Sequence, residues 1–158
     1  MKIFQRLVNS VLPAYIATIF LDSLRYKFID HPKTQVIFTK LNDWAGSIGF
    51  PGVFAHTGIF SQYVIGSAEL IASALLLLGF LPKLRALQAY GALLAFVIMT
   101  GAVSFHLFTP LGTDPNGDGG GLFVAAVFVW LASIALLIIR RRYLPFFTKK
   151  FSASSEAV

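Results

Sequence analysis

The stretch QYVIGSAELIASALLLLGFL, residues 62–81, decides the fold. A single charge, Glu69, interrupts an apolar run about as long as the ~20 residues that cross a ~30 Å hydrocarbon core. Counting from Phe60, this is the second of four such runs; the others cover residues 8–28, 84–108 and 122–139. The runs are too long for strands of a membrane barrel and show no alternation. Inside hydrocarbon every backbone N–H and C=O must be satisfied within its own segment, so the runs are expected to be α-helices. Composition agrees. The chain has 158 residues, 56% of them hydrophobic and 13% charged, where soluble domains carry about 25% charged residues. Such a sequence is too apolar for disorder, and a soluble fold built from it would expose aggregation-prone patches. The expected fold is an all-α membrane protein, a single bundle of four transmembrane helices over residues 1–158.

Lys2 and Arg6 precede the first run as they would in a signal sequence. The run continues to Phe28 with no small-residue cleavage site, so it is expected to stay as helix 1, kinked at Pro13. Lys2, Arg6, Lys83, Arg85, Arg140, Arg141, Arg142, Lys149 and Lys150 all fall on one side of the four spans. The positive-inside rule then puts both termini in the cytoplasm, N-in and C-in, with a basic tail at 140–158. The net charge of +6 becomes a cytoplasmic collar facing anionic lipid. Because the basic residues flank spans rather than form a domain, nucleic acid is not an expected partner.

The outer loops carry two patterns. In residues 32–44 the apolar Ile37, Leu41 and Trp44 fall at helical spacing, with His31-Pro32 as a start. The segment reads as a short interfacial helix with Trp44 at headgroup depth, or as a loop that merely covers the outer mouth of the bundle. Asp114-Pro115-Asn116-Gly117-Asp118-Gly119 matches the first half of a calcium loop. Its twelfth position is Ala125 rather than the bidentate Glu. The loop therefore reads as turns, and no metal centre is expected. The absence of cysteine removes disulfides and thiolate chemistry.

Function is sought in the polar residues within the spans. A carboxylate at Glu69 costs at least ~2.5–3.5 kcal/mol to insert and needs a partner or a proton. Gln62, Gly66 and Ser73 share its stripe, a polar and small face suited to helix packing. On helix 1, Tyr15, Thr18, Asp22 and Arg25 share one face, with Lys27 near the outer end. His106 lies within a turn of the outer end of helix 3. Together Asp22, Arg25, Lys27, Glu69 and His106 are expected to form a buried acid–base cluster in the outer half of the membrane. It would act as a binding or proton site, or as an ion pair fixing helix register. Trp130, with Ala126 and Ser133, is expected to pack inward, and Gly91 and Gly101 to allow close helix approach.

The chain resembles the DoxX family of small four-helix bacterial membrane proteins. The resemblance rests on FLDSLRYKFI (residues 20–29), on GFPGVFAHTGIFSQYVIGSAELIASALLLLGF (49–80), and on the order of spans with a short basic turn after the second. It implies Lys27 and Glu69 as the family positions. Asp-Ser-Leu-Arg-Tyr at 22–26 departs from the small residues usual there. The resemblance implies a bacterial inner-membrane protein, an accessory subunit of a membrane oxidoreductase system. It carries no cofactor of its own and works with a quinone or a partner's cofactor. A small-solute or proton-linked transporter acting as a homodimer, and a structural membrane subunit, are the competing readings. No residue is assigned to catalysis.

Overall fold

The computed structural model describes residues 2–145, with side chains described from Val8 onward. Its elements are α1 (Lys2–Lys27), α2 (Pro32–Ser47), α3 (Gln62–Leu78), α4 (Leu87–Phe108) and α5 (Gly121–Arg140). Single turns of 3-10 helix stand at Pro82–Leu84 and Arg141–Tyr143. No strand occurs among the described residues. Of the expected basic tail, the part from 146 on, with Lys149 and Lys150, lies outside them.

The helices form where the apolar runs were read. Pro13 sits inside α1 without ending it, its side chain buried. Between α3 and α4 the chain reverses over a few residues. Gly79 caps α3, its N–H donating to the Leu75 carbonyl, and Pro82 opens the following turn. That turn carries Lys83 and Arg85.

Helices α1, α3, α4 and α5 form a ring in which each packs on the next and α5 closes back onto α1. Successive long helices run in opposite directions. The start of α3 meets the end of α1 through Gln62 and Lys27, and the start of α4 meets the end of α5 through Gln88 and Arg140. The core between them is built from Ile16, Phe20, Leu76, Val129 and Leu136, with Ala72, Ala92, Ala95, Ala126 and Ala132 where helices come close. Gly91 sets the α3–α4 distance, since a Cβ there would stand 2.9 Å from Leu76 Cγ and 3.1 Å from the Ala72 carbonyl oxygen. Gly101 does not match that expectation: a Cβ there would meet only Phe105, at 3.8 Å.

Two helices, Leu87–Phe108 and Gly121–Tyr143, are long and apolar enough to cross a membrane; α3 is apolar but shorter, at 17 residues. Their outer faces are large apolar side chains turned away from the protein, among them Val97, Phe108, Phe128, Leu131 and Ile138. On α3, Leu70, Ile71, Leu77 and Leu78 are exposed as well.

Helix α2 lies across one end of the ring. His31 caps it, Nδ1 accepting from the Lys33 N–H, and Pro32 is its first residue. The helix runs three residues past the expected 44. Its apolar face turns inward: Leu41 and Ala45 are buried with Phe54 and Leu111, and Trp44 packs edge-on to Phe105. The segment is a helix, as the first reading expects, and it covers one end of the ring, as the second expects of a loop. The glycine-rich loop before α5 consists of turns: Asp114 Oδ1 accepts from the Asp118 N–H (2.7 Å) and Asp118 Oδ1 from the Gly120 N–H (3.1 Å). Gly117, Gly119 and Gly120 take positive φ. The backbone N–H of Asp118 is also the main reason that the Asp114 carboxyl lies below its ordinary pKa.

Candidate functional site

The stripe Gln62, Gly66, Glu69 and Ser73 is buried along its whole length, facing α1. Gly66 makes this possible, because a Cβ there would stand 3.3 Å from the Phe28 ring and 3.5 Å from Lys27 Cδ. Below it, Lys27 Nζ donates to both oxygens of Glu69, at 3.0 and 2.9 Å. The Ser23 hydroxyl donates to Glu69 Oε2 at 2.7 Å and accepts from Lys27 Nζ. The side chains are 4% exposed for Glu69 and 16% for Lys27, so water screens the pair little. Both carboxylate oxygens are occupied by donors from α1. The pair ties α1 to α3. Ser73 does not join it; its hydroxyl donates to the Glu69 backbone carbonyl at 2.8 Å.

The remaining members of the expected cluster lie elsewhere. Asp22 and Arg25 pair with each other at 3.0 Å, their side chains 55% and 65% exposed. Thr18 is exposed too, and Tyr15 is half-buried against the core. The reason is rotational. The inward face of α1 is Ile16, Phe20, Ser23 and Lys27, roughly 150° around the helix from the face of Tyr15, Thr18, Asp22 and Arg25 at about 100° per residue. His106 is buried but held apart: its Nδ1 lies 2.6 Å from the Gly112 carbonyl, so Nδ1 carries the proton, and its ring meets Phe123. Trp130 packs on Phe96 and donates to Thr100 Oγ1 at 2.9 Å, a contact between α4 and α5.

A second polar group sits above the ion pair, and of its members the sequence pattern marks only Gln62. Gln62 is 2% exposed. Its amide nitrogen donates to the Lys27 carbonyl (2.7 Å) and to Asp30 Oδ1, and its oxygen accepts from Gln35 Nε2 (2.8 Å). Asp30, at φ +54°, also accepts from the Tyr63 hydroxyl at 2.7 Å. The Tyr63 hydrogen bond, followed by the Gln62 amide and the charge of His56, holds the Asp30 carboxyl below its ordinary pKa, with desolvation opposing them. Positive φ is tolerated at aspartate, and here it turns the chain from α1 into α2.

Beside this group lies a cavity of about 250 Å³ between α2 and the 48–61 connection. Gln35, Thr39, Asn42, His56 and Gln62 supply its polar wall, and Phe38 and Phe54 its apolar wall. Gln35 and Gln62 spend their amides on each other and on Asp30. Asn42 Oδ1 is buried with no hydrogen-bond partner. A buried acceptor left unpaired costs about 1–3 kcal/mol. The sequence offered one signal for it, the position of Asn42 one residue past Leu41 on the covering helix.

Among the described residues no group of three or more His, Cys, Asp or Glu could hold a metal ion. Comparison with protein-family models, with curated proteins and with solved structures finds no match for this chain.

Proposed function

We propose that this chain is a four-helix integral membrane protein of the bacterial inner membrane, both termini cytoplasmic. It serves a membrane oxidoreductase system as an accessory subunit, and its outer cavity receives the headgroup of a quinone or quinol. The membrane reading is supported by the apolar outer faces of α3, α4 and α5, which no other part of the described chain covers. The orientation is supported by charge. Lys83, Arg85 and Arg140–142 stand at the end of the ring where α1 begins, with Lys2 and Arg6 at that start, against Arg25, Lys27, Lys33 and Lys40 at the end under α2. The resemblance to DoxX proteins supports the oxidoreductase setting.

The observation that carries the ligand is the mixed wall of the outer cavity, polar through Thr39, Asn42 and His56 and apolar through Phe38 and Phe54. Turned into the cavity, the Asn42 amide can accept from a quinol O–H. The Thr39 hydroxyl and His56 can donate to a quinone carbonyl, and the ring can lie between Phe38 and Phe54. At about 250 Å³ the space is close to the lower bound of ~300 Å³ for small-molecule sites, which suits a headgroup better than a whole prenylated molecule. The test is gentle extraction of the full chain from its native membrane, followed by mass spectrometry of bound small molecules and partner subunits. Quinone should co-purify, and Asn42→Leu should lose it while helical content is kept. Extraction that recovers neither a quinone nor an oxidoreductase defeats the proposal.

The closed geometry of Lys27, Ser23 and Glu69 favours a second role for that pair, as a structural tie. It gives a proton-linked carrier less support, because the carboxylate faces donors on α1 and is not on the wall of the outer cavity.

A further inference from the structure

At the opposite end of the ring from α2 lies a larger cavity, of about 570 Å³. Its wall draws on α1 through Asn9 and Ser10, on the turn after α3 through Arg85, on α4 through Gln88 and on α5 through Arg140. Gln88 is 1% exposed. Its Oε1 accepts from Arg140 Nε at 3.0 Å and from an Arg140 Nη2 hydrogen at 2.6 Å, and its Nε2 reaches the Leu76 carbonyl. Gly79 leaves room for it, because a Cβ there would collide with Gln88 Cγ and stand 2.9 Å from its backbone nitrogen. A buried, doubly anchored amide thus fixes one edge of the Arg140 guanidinium and leaves three N–H donors.

Arg85, on the same wall, makes no hydrogen bond to any described residue. The ion pairs among the described residues are Asp22–Arg25 and Lys27–Glu69, so no carboxylate offsets either arginine of the cavity. Two guanidiniums facing one space repel each other. Their planar forks match the oxygens of a phosphate group, and the Ser10 hydroxyl adds a donor. Asn9 Oδ1 is buried there without a partner.

We infer that this cavity binds a phosphate group, held between Arg85 and Arg140 with Gln88 as the positioning residue. Two sources share that chemistry: the headgroup of an anionic phospholipid and a free or soluble phosphate. Phe80, on the cavity wall, and Leu81 beside it are exposed apolar residues, placed to meet acyl chains. This lipid arm rests on the membrane reading, and the phosphate site itself does not.

The test uses the full chain in mild detergent, with phosphatidic acid, phosphatidylcholine and inorganic phosphate as probes in native mass spectrometry. Phosphatidic acid should be retained in preference to phosphatidylcholine. Arg85→Gln and Arg140→Gln should each weaken it about tenfold, equivalent to ~1.4 kcal/mol. Arg142→Gln removes the same charge from the same end but sits off the cavity, stacked on Tyr143, and should change binding less than about twofold. Arg85→Gln breaks no hydrogen bond, so it keeps the test alive if Arg140→Gln fails to fold. Displacement by inorganic phosphate assigns the site to the soluble ligand, and retention against it to the lipid. Equal weakening by Arg142→Gln and Arg85→Gln would overturn the site in favour of diffuse charge. So would failure of both phosphatidic acid and inorganic phosphate to bind. Quinone retention at the outer cavity should be untouched by Arg85→Gln, which separates the two proposals.

Discussion

Replacing Lys27 by methionine should destabilise the bundle more than replacing Glu69 by glutamine, and the two changes together should cost less than their sum. At 2.9 Å the charges attract by about 6 kcal/mol for an effective dielectric of ~20, and desolvation cancels much of that. What a single substitution reads is the cost of stranding the remaining charge, ~3–5 kcal/mol for a buried pair. The two partners differ in their escape routes. Glu69 is 4% exposed, about 10 Å along α3 from Gln62, and cannot reach water. Lys27 is the last residue of α1 and 16% exposed, so its stem can carry the ammonium toward the helix end. Lys27→Met should therefore cost ~3–5 kcal/mol and Glu69→Gln about 1–2 kcal/mol, the scale of a lost charged hydrogen bond. The double variant strands nothing, which implies an interaction energy of about 2–3 kcal/mol. Unfolding titrations with sodium dodecyl sulfate in mixed micelles, followed by far-UV circular dichroism, measure all four corners of the cycle. Additivity within ~0.5 kcal/mol, or a larger loss for Glu69→Gln than for Lys27→Met, would refute the pairing argument.

The same titration tests the glycines of α4. Gly91→Ala should cost ~1–3 kcal/mol by overpacking against Leu76 and Ala72, whereas Gly101→Ala should be neutral or stabilising by up to ~1 kcal/mol. Leu41→Ala should cost ~2–5 kcal/mol, and limited proteolysis should then cut within α2, because Leu41 anchors that helix on Phe54 and Leu111. The attachment of α2 should also respond to acid. The Asp30 pKa is lowered from the ordinary 3.8, so its contribution is fully present above about pH 4 and is lost as pH falls through the folded value. Trp44 fluorescence in a Trp130→Phe background should stay flat from neutral pH to about pH 4 and change below it, and Asp30→Asn should remove that acid limb.

How far the sequence could be read follows from where each piece of information lies along the chain. The helices were legible because a run of apolar residues and its bounding Gly or Pro are local. The buried stripe of α3 was legible because Gln62, Gly66, Glu69 and Ser73 repeat at helical spacing and have one face available. The partner face of α1 lies nearly opposite the stripe that the sequence suggests. Asp22 and Arg25 made the more polar stripe, and a polar stripe in a span ordinarily turns inward. At spacing i, i+3 near a helix end, however, two opposite charges neutralise each other outside the packed face. That leaves Ser23 and Lys27, four apart and in line with Ile16 and Phe20, to meet Glu69. A search for the partner of a buried carboxylate should therefore discount any residue that already has a partner on its own helix. The cavity under α2 had no periodic signal at all. It depends on the left-handed turn at Asp30, on the fold of the 48–61 connection, and on contacts such as Gln35 with Gln62 that join residues 27 apart. The lower cavity is of the same kind, since Arg85, Gln88 and Arg140 meet only once the ring has closed. In the sequence those arginines belong to a collar of positive charge. The closed ring separates the two that face a built cavity from Arg142, which stacks on its own neighbour.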